Sequence, residues 1–274
     1  DLSCVILTWN SRNFIPICAE SLLSELGRSG LAFEIFIVDN GSSDGTPEII
    51  ANLQQAWPQN IVPIYLDKNY GTTYPRNLAL QRCTGRYLAI LDSDLEISPG
   101  SFQPLIDVLA GDERIGLVVP KLVYPDGRWQ KSIDSFPTLG GKFRRYFFLR
   151  RLEQREGGQY VPGAYQELQE VDYAISAMWL MKREVLATVG LLDERIFYAP
   201  EDVDYCLRVW KAGYSVVYAP RVALEHNTRE ISRGLKLNKA FLSHSKGLVY
   251  YFLKHRYLLR APRFRGLREG GATK

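Results

Sequence analysis

The stretch RYLAILDSDLEISP, residues 86–99, decides how the rest of the chain is read. Tyr87 to Leu91 is a nearly unbroken apolar run of the kind that makes a strand buried on both faces, and it stops at Asp92-Ser93-Asp94. In an open parallel sheet, ligands bind beyond the carboxyl ends of the strands, so this run delivers two acids to the place where a site belongs. Two-residue alternation sends Asp92 and Asp94 to one side. Carboxylates at that spacing are hard oxygen ligands suited to Mg²⁺ or Mn²⁺, ions that leave positions for water and phosphate oxygens. The competing reading is a polar turn, with Asp92 as a cap and Ser98-Pro99 opening a helix. Asp-x-Asp alone does not choose between the two, and its place after a buried strand favours the metal.

Upstream, LSCVILT (residues 2–8) reads as a first buried strand with Trp9, Asn10 and Ser11 as its polar exit. A helix from Ile15 to Leu26 follows, then the strand FEIFIV at 33–38. Asp39-Asn40-Gly41 turns the chain, and Pro47 opens a helix that runs to Gln55. Next come a strand at 61–66, a loop at 67–71 and a helix from Pro75 to Cys83. Strands and helices alternate at short intervals, the pattern of a mostly parallel sheet wrapped by helices.

Downstream, a helix is expected at 101–110, and GLVVPKLVYPDGRWQKS (residues 116–132) reads as strand, turn, strand. Residues 138–169, rich in Gly, Arg, Tyr and Phe, read as a mobile or acceptor-facing segment. A strand ending near Met181 and a short helix come next. Asp202 to Ala212 is helical by its apolar spacing and stops at Gly213. Ser215 to Ala219 is a strand, and His226 lies just past the last one. The division read from this is 1–230 as one α/β domain, in two halves at 1–118 and 119–230. Residues 231–274 form a helical, basic extension.

At 274 residues and 46% apolar content, the chain has ample material for a core. No apolar run approaches the roughly 18–20 residues of a spanning helix, and no signal-peptide pattern is visible. Cys4, Cys18, Cys83 and Cys206 are widely spaced, without a Cys-x-x-Cys pair, and read as reduced core thiols of a cytoplasmic protein. Residues 231–274 hold eleven Lys or Arg and one acid, so a mildly acidic body carries a strongly basic tail. KHRYLLRAPRFRGLR interleaves cations with Tyr, Leu and Phe. Such a tail lies peripherally on an anionic membrane face or is a solvated terminus. Nucleic-acid binding is disfavoured, because no recognised binding module accompanies the cluster.

Seven strings stand in an order that resembles a known family: VILTWNS at 5–11, IVDNGSSDGT at 37–46, KNYGTTYPRN at 68–77, ILDSD at 90–94, PKLVYPDGRWQKS at 120–132, GLLDERIFYAPEDVDYCLRVWKAG at 190–213, and His226. Together they resemble the inverting, GT-A-fold nucleotide-sugar glycosyltransferases of family 2, which includes cellulose and chitin synthases, and are most similar to the bacterial rhamnosyltransferase branch. The resemblance implies a Rossmann-like sheet and transfer of a sugar, L-rhamnose from dTDP-rhamnose among the options, from a UDP- or dTDP-sugar to a glycan or lipid-linked acceptor of the cell envelope. It implies that Thr8 and Asn10 line the nucleotide pocket and that Asp39 accepts from N3–H of the pyrimidine, where a carboxylate favours uracil or thymine. Asn69, Gly71 and Arg76 are expected near base, ribose and phosphate. The resemblance places Asp92 at the ribose side or on a metal-bound water, Ser93 among the donor-binding residues, Asp94 on the metal, and His226 as a further metal ligand or a diphosphate contact. It makes 1–118 the nucleotide-sugar-binding half and 119–230 the acceptor half. Asp202, the second acid of Glu201-Asp202, takes the role of catalytic base.

Each residue also has a plainer reading. Asp39 suits a turn, Arg76 a surface ion pair, His226 a structural role, and Glu201, Asp202 and Asp204 the positive end of a helix dipole. HNTREIS has no glycine until Gly234, where relatives often carry Gly-x-Ser, so the lid over the phosphates is expected to differ. An inactive nucleotide-sugar-binding or scaffold protein of the same fold is the competing function, against which the acids at 39, 92, 94 and 202 argue. A Rossmann dehydrogenase is disfavoured, since no Gly-x-Gly-x-x-Gly follows the first strand.

Overall fold

A computed structural model describes residues 1–141, 165–228 and 239–264. The elements run β1 (Leu2–Thr8), α1 (Ile15–Ser29), β2 (Phe33–Asp39), α2 (Thr46–Ala56), β3 (Ile61–Tyr65), α3 (Thr73–Leu80), β4 (Tyr87–Asp92), β5 (Leu95–Glu96), α4 (Phe102–Gly111), β6 (Ile115–Val123), β7 (Trp129–Gln130) and β8 (Ile133–Asp134). They continue with β9 (Gln169–Glu170), β10 (Tyr173–Ala174), β11 (Met178–Lys182), α5 (Arg183–Val189), α6 (Glu201–Lys211), β12 (Ser215–His226) and α7 (Lys239–His255). The main sheet has the order β3-β2-β1-β4-β11-β6-β12-β5. Its first four strands are mutually parallel, β11 is antiparallel to both neighbours, and β12 is parallel to β6.

Alternation along β1 and β4 builds both faces of the sheet. Cys4, Ile6, Ala89 and Leu91 pack with α1 and α4, while Val5, Leu7, Leu88 and Ile90 pack on the opposite side with Tyr205, Cys206, Tyr251 and Phe252. All four cysteines are buried free thiols, as their spacing indicates. Glu25 of α1 is buried and accepts from Gly100 N (2.6 Å) and Phe102 N (3.1 Å), satisfying backbone donors at the start of α4. The helix therefore begins at Phe102, not at Ser98-Pro99 as the polar-turn reading has it.

The elements depart from expectation in a few places. Helix α3 is displaced toward its N-terminus, spanning Thr73–Leu80 where Pro75–Cys83 is expected; proline is tolerated in a first helical turn because no intrahelical partner awaits its missing N–H. Where two strands are expected after Gly213, β12 is one strand with register shifts, one of them between Ala219 and Ala223, so His226 is its last residue rather than lying beyond it. The mobile-segment reading of 138–169 falls largely on residues 142–164, outside the described ones, as does the extension before Lys239.

Candidate active site

The strand termini of β1, β2 and β3 lie side by side, with Thr8, Asp39 and Tyr65 in register. Thr8 Oγ1 and Asp39 Oδ1 are buried and have no hydrogen-bond partner in the protein. A buried acceptor left open costs roughly 1–3 kcal/mol, so two in register point to a ligand that satisfies them. Asp39 Oδ2 accepts from Ser42 N at 3.1 Å, which fixes the carboxylate without consuming Oδ1. Asn10, at φ +50°, closes the neighbouring loop: its N–H donates to Ser42 Oγ (2.8 Å) and its Oδ1 accepts from Ser43 N (2.9 Å).

Asn69 Oδ1 accepts from Gly71 N (2.8 Å) and Asn40 Nδ2 (3.2 Å), making a turn rather than reaching outward. Asn40 is the buried hub of this turn, since it also donates to Gly71 O (2.8 Å) and accepts from Tyr70 N (2.9 Å). Gly71 has φ +84°, and a Cβ there would stand 1.9 Å from Phe197 O. The close approach it permits is to the segment that precedes α6, to which Thr72 N also donates (2.7 Å, Phe197 O).

Arg76 is neither at the surface nor open to a ligand along its terminal nitrogens. Its side chain is 2% exposed; Nη2 donates to Asp92 Oδ1 (2.6 Å) and Nη1 to Ser176 Oγ (2.8 Å). Ser176 Oγ donates in turn to Glu201 Oε1 (3.2 Å), which lies 3.5 Å from Arg76 Nη1. One guanidinium thus ties the end of β4 to the start of α6. Burial and the adjoining Asp202 charge push the Glu201 carboxyl up to about 8, with Arg76 acting against them. Near neutrality the Glu201 carboxyl therefore keeps its proton. Asp202 Oδ1 accepts from Val203 N (2.8 Å), a donor at the α6 N-terminus. Tyr198 is 41% exposed, but its hydroxyl end lies near Glu201, Asp92, Asp202 and Arg76; loss of water there and the three acids raise its phenol to about 12, Arg76 opposing.

Asp92, Asp94 and His226 each offer a ligand atom, and these atoms lie within 4.8 Å of one another. The pleat does not bring the two acids together, because β4 ends at Asp92 and the chain turns before β5. Pairing of β5 with the end of β12, His226 opposite Leu95, then carries the imidazole to Asp94, with Asn227 N donating to Asp94 O (2.9 Å). Ser93 points away, donating to Ser11 Oγ at 2.8 Å.

His226 is buried, with Nδ1 2.8 Å from Gln130 Oε1 and Nε2 3.1 Å from Asp94 Oδ1. With Oε1 as the facing Gln130 atom, Nδ1 carries the proton, and Nε2 is the atom that could ligate a metal. Burial disfavours the imidazolium, yet the bond to Asp94 and the charges of Asp94 and Asp92 prevail and raise its pKa. Burial also raises the Asp92 carboxyl, Arg76 opposing and Asp94 adding. A divalent cation would take the place of the Nε2 proton and quiet both acids. Two carboxylates and an imidazole held at one point by a glutamine and an arginine fit Mg²⁺ or Mn²⁺, the imidazole leaning toward Mn²⁺.

Sequence reading brings Asp92, Asp94, His226 and Arg76 to one rim, and α6 carries Asp202 beside them. It misses Asn40, Gln130, Ser176 and Tyr198. Asn40 and Gln130 lie inside strings that carry the resemblance, whereas Ser176 has no local signal.

A mostly parallel sheet flanked by helices, with β11 running antiparallel between β4 and β6 and acids at the strand ends, is the GT-A architecture. The chain belongs to glycosyl transferase family 2, whose profile matches residues 3–190. It is 28% identical over 253 residues to an N-acetylglucosaminyl-diphospho-decaprenol L-rhamnosyltransferase of Mycobacterium tuberculosis, covering 83% of this chain and 77% of that one. A putative teichuronic acid biosynthesis glycosyltransferase, TuaG of Bacillus subtilis, is 37% identical over 93 residues, 34% of this chain and 35% of the relative. Among solved structures, GalNAc-T7 with UDP, GalNAc and Mn²⁺ superposes with a TM-score of 0.68 at 17% identity. That match covers 92% of this chain and 47% of the other, so the chain spans about half that protein's length. The mannosyltransferase PcManGT of Pyrobaculum calidifontis, with GDP-Man and Mn²⁺, gives 0.60 at 20% identity over 95% of this chain and 65% of its own.

Proposed function

We propose that this chain is a divalent-metal-dependent, inverting glycosyltransferase that uses a UDP- or dTDP-sugar, with L-rhamnose from dTDP-rhamnose the first to test. Its acceptor is a glycan or lipid-linked saccharide of cell-envelope polysaccharide synthesis, in keeping with the rhamnosyltransferase and teichuronic acid relatives. Four buried free thiols fit action in the reducing cytoplasm. The reading is carried by one observation: Asp94 bonds to His226, Asp92 brings a ligand atom within 4.8 Å of both, and hydrogen bonds run from Asp92 through Arg76 and Ser176 to Glu201, which adjoins Asp202.

In this reading Thr8 Oγ1 and Asp39 Oδ1 take up the pyrimidine, Asp39 accepting from its N3–H. Asp92, Asp94 and His226 hold Mg²⁺ or Mn²⁺, and the bound ion supplies positive charge to the leaving diphosphate. Arg76 and Ser176 keep Glu201 in place, burial and the adjoining Asp202 charge keep it protonated against the pull of Arg76, and Asp202 is the carboxylate that accepts the acceptor hydroxyl proton. As that oxygen bonds to the anomeric carbon, the bond to the diphosphate breaks on the opposite side, and configuration inverts. The test is a thermal-shift screen of UDP-, dTDP- and GDP-sugars with and without Mn²⁺, followed by NMR of the product anomer. Stabilisation by a uridine or thymidine diphosphosugar with Mn²⁺, and an inverted product, is expected. Stabilisation by guanosine donors alone, a retained anomer, or binding without turnover on any acceptor overturns the reading.

A further inference from the structure

Helix α7 has two unlike faces. One clamps the segment that leads into α6: a Cβ on Gly247 would stand 2.2 Å from Ala199 O, Tyr250 Oη (2.8 Å) and Lys254 Nζ (2.8 Å) donate to Asp193 Oδ2, and Tyr251 and Phe252 are buried in the core. Lys254 Nζ (2.6 Å) and His255 Nε2 (2.8 Å) also meet the buried Asp204 Oδ1. The opposite face carries Lys246, Val249 and Leu253, spaced by three and four residues along one stripe, and Arg256 follows just past the helix end; all four are exposed. Val249 is 61% and Leu253 72% exposed.

Beyond the helix the chain stays on the body. Leu139 N donates to Leu258 O (2.8 Å), and the Phe264 ring stacks on Trp210 with centroids 5.4 Å apart. Leu258, Leu259, Arg260 and Arg263 nevertheless face outward, Leu259 at 78% exposure. Residues 246–263 contain no Asp or Glu. The nearest acid of the groove under residues 259–264, Asp172, already accepts from Phe136 N (2.8 Å).

We infer that this bare stripe and the outward residues after it are a docking surface for an anionic lipid bilayer. Exposed large aliphatics among cations, on a segment (246–263) that carries no acid of its own, match an interface of negative headgroups over hydrocarbon: leucines enter the acyl boundary while Lys and Arg stay at the phosphates. A solvated terminus has no use for aliphatic side chains so widely exposed on an ordered helix. Because the clamped face is turned away from the stripe, docking needs no rearrangement of α6. The inference stands apart from which sugar is moved.

The experiment is flotation of the full chain with vesicles of phosphatidylcholine, alone or with about one third phosphatidylglycerol. Wild type is expected to float with the anionic vesicles and to be released by high salt, and to remain behind with phosphatidylcholine alone. Arg260→Gln with Arg263→Gln is expected to lower partitioning about thirtyfold, the loss that two surface cations give. Leu253→Ser with Leu259→Ser is expected to abolish flotation, with donor turnover in the absence of vesicles unchanged and the circular dichroism spectrum preserved. Failure of wild type to float, or unchanged flotation of both variants, overturns the proposal. So does a dimer in vesicle-free solution that Leu253→Ser dissolves, because a second copy is then the occupant. Turnover is read separately, so loss of flotation leaves the proposed chemistry intact.

Discussion

Replacing Arg76 by methionine removes the guanidinium that joins β4 to α6 while keeping the length of the side chain. The donor to Asp92 at 2.6 Å and the donor to Ser176 at 2.8 Å disappear together, in a place where the arginine is 2% exposed. Removing one partner of a buried pair costs about 3–5 kcal/mol. Two features of the site hold the cost to the lower end: the Asp92 side chain is 34% exposed, so water takes part of the load, and Glu201 already keeps a proton near neutrality. The expected loss is about 3 kcal/mol, or roughly 6–12 °C of melting temperature for a chain of this size. Urea titration at pH 7 reads it directly. The deficit is expected to shrink as pH falls, since protonation of Asp92 discharges the group left behind. A loss below about 1 kcal/mol refutes the reasoning, and so does a cycle with Asp92→Asn in which the two substitutions simply add.

Gly71→Ala places a Cβ against Phe197 O at a backbone φ of +84°, and is expected to lower the melting temperature and release residues 195–200 to limited proteolysis, the strain alone being about 1–3 kcal/mol. Asp39→Asn exchanges a charged acceptor for an amide, and calorimetry is expected to show uridine or thymidine diphosphate binding weakened by about ten- to a hundredfold. The buried Asp204 carboxyl is held below its ordinary value, burial opposing while His255, Arg208 and Lys254 prevail. Its contribution to stability is therefore present above about pH 4 and is lost as pH falls further. Asp204→Asn is expected to cost about 3 kcal/mol at neutral pH, with the gap to wild type narrowing in urea titrations as pH falls below about 4.

Much of this molecule is legible in its sequence where the signal is local. Buried strands such as Tyr87–Leu91 show as apolar runs, and the polar loops after β1, β2 and β4 show as Asp, Asn and Gly clusters, because one strand end sets both. The antiparallel course of β11 between β4 and β6 is not legible, since strand direction is fixed by distant partners. Asp92 and Asp94 were expected to meet through the pleat, but a turn and the pairing of β5 with β12 join them to His226. Arg76 illustrates the limit best. A lone arginine in PRN gives no sign that it will be buried between an acid 16 residues away and one 125 residues away, and the same holds for Ser176.

The pairing of two jobs at one rim, cation and diphosphate at Asp94 and proton removal at Asp202, is tested by measuring turnover and nucleotide affinity on the same Asp202→Asn protein. Turnover is expected to fall by about 10²–10⁴-fold while calorimetry with Mn²⁺ and the nucleoside diphosphate gives wild-type affinity. Turnover that persists in Asp202→Asn but vanishes in Glu201→Gln would contradict it, handing the proton to the residue that burial and the Asp202 charge keep neutral.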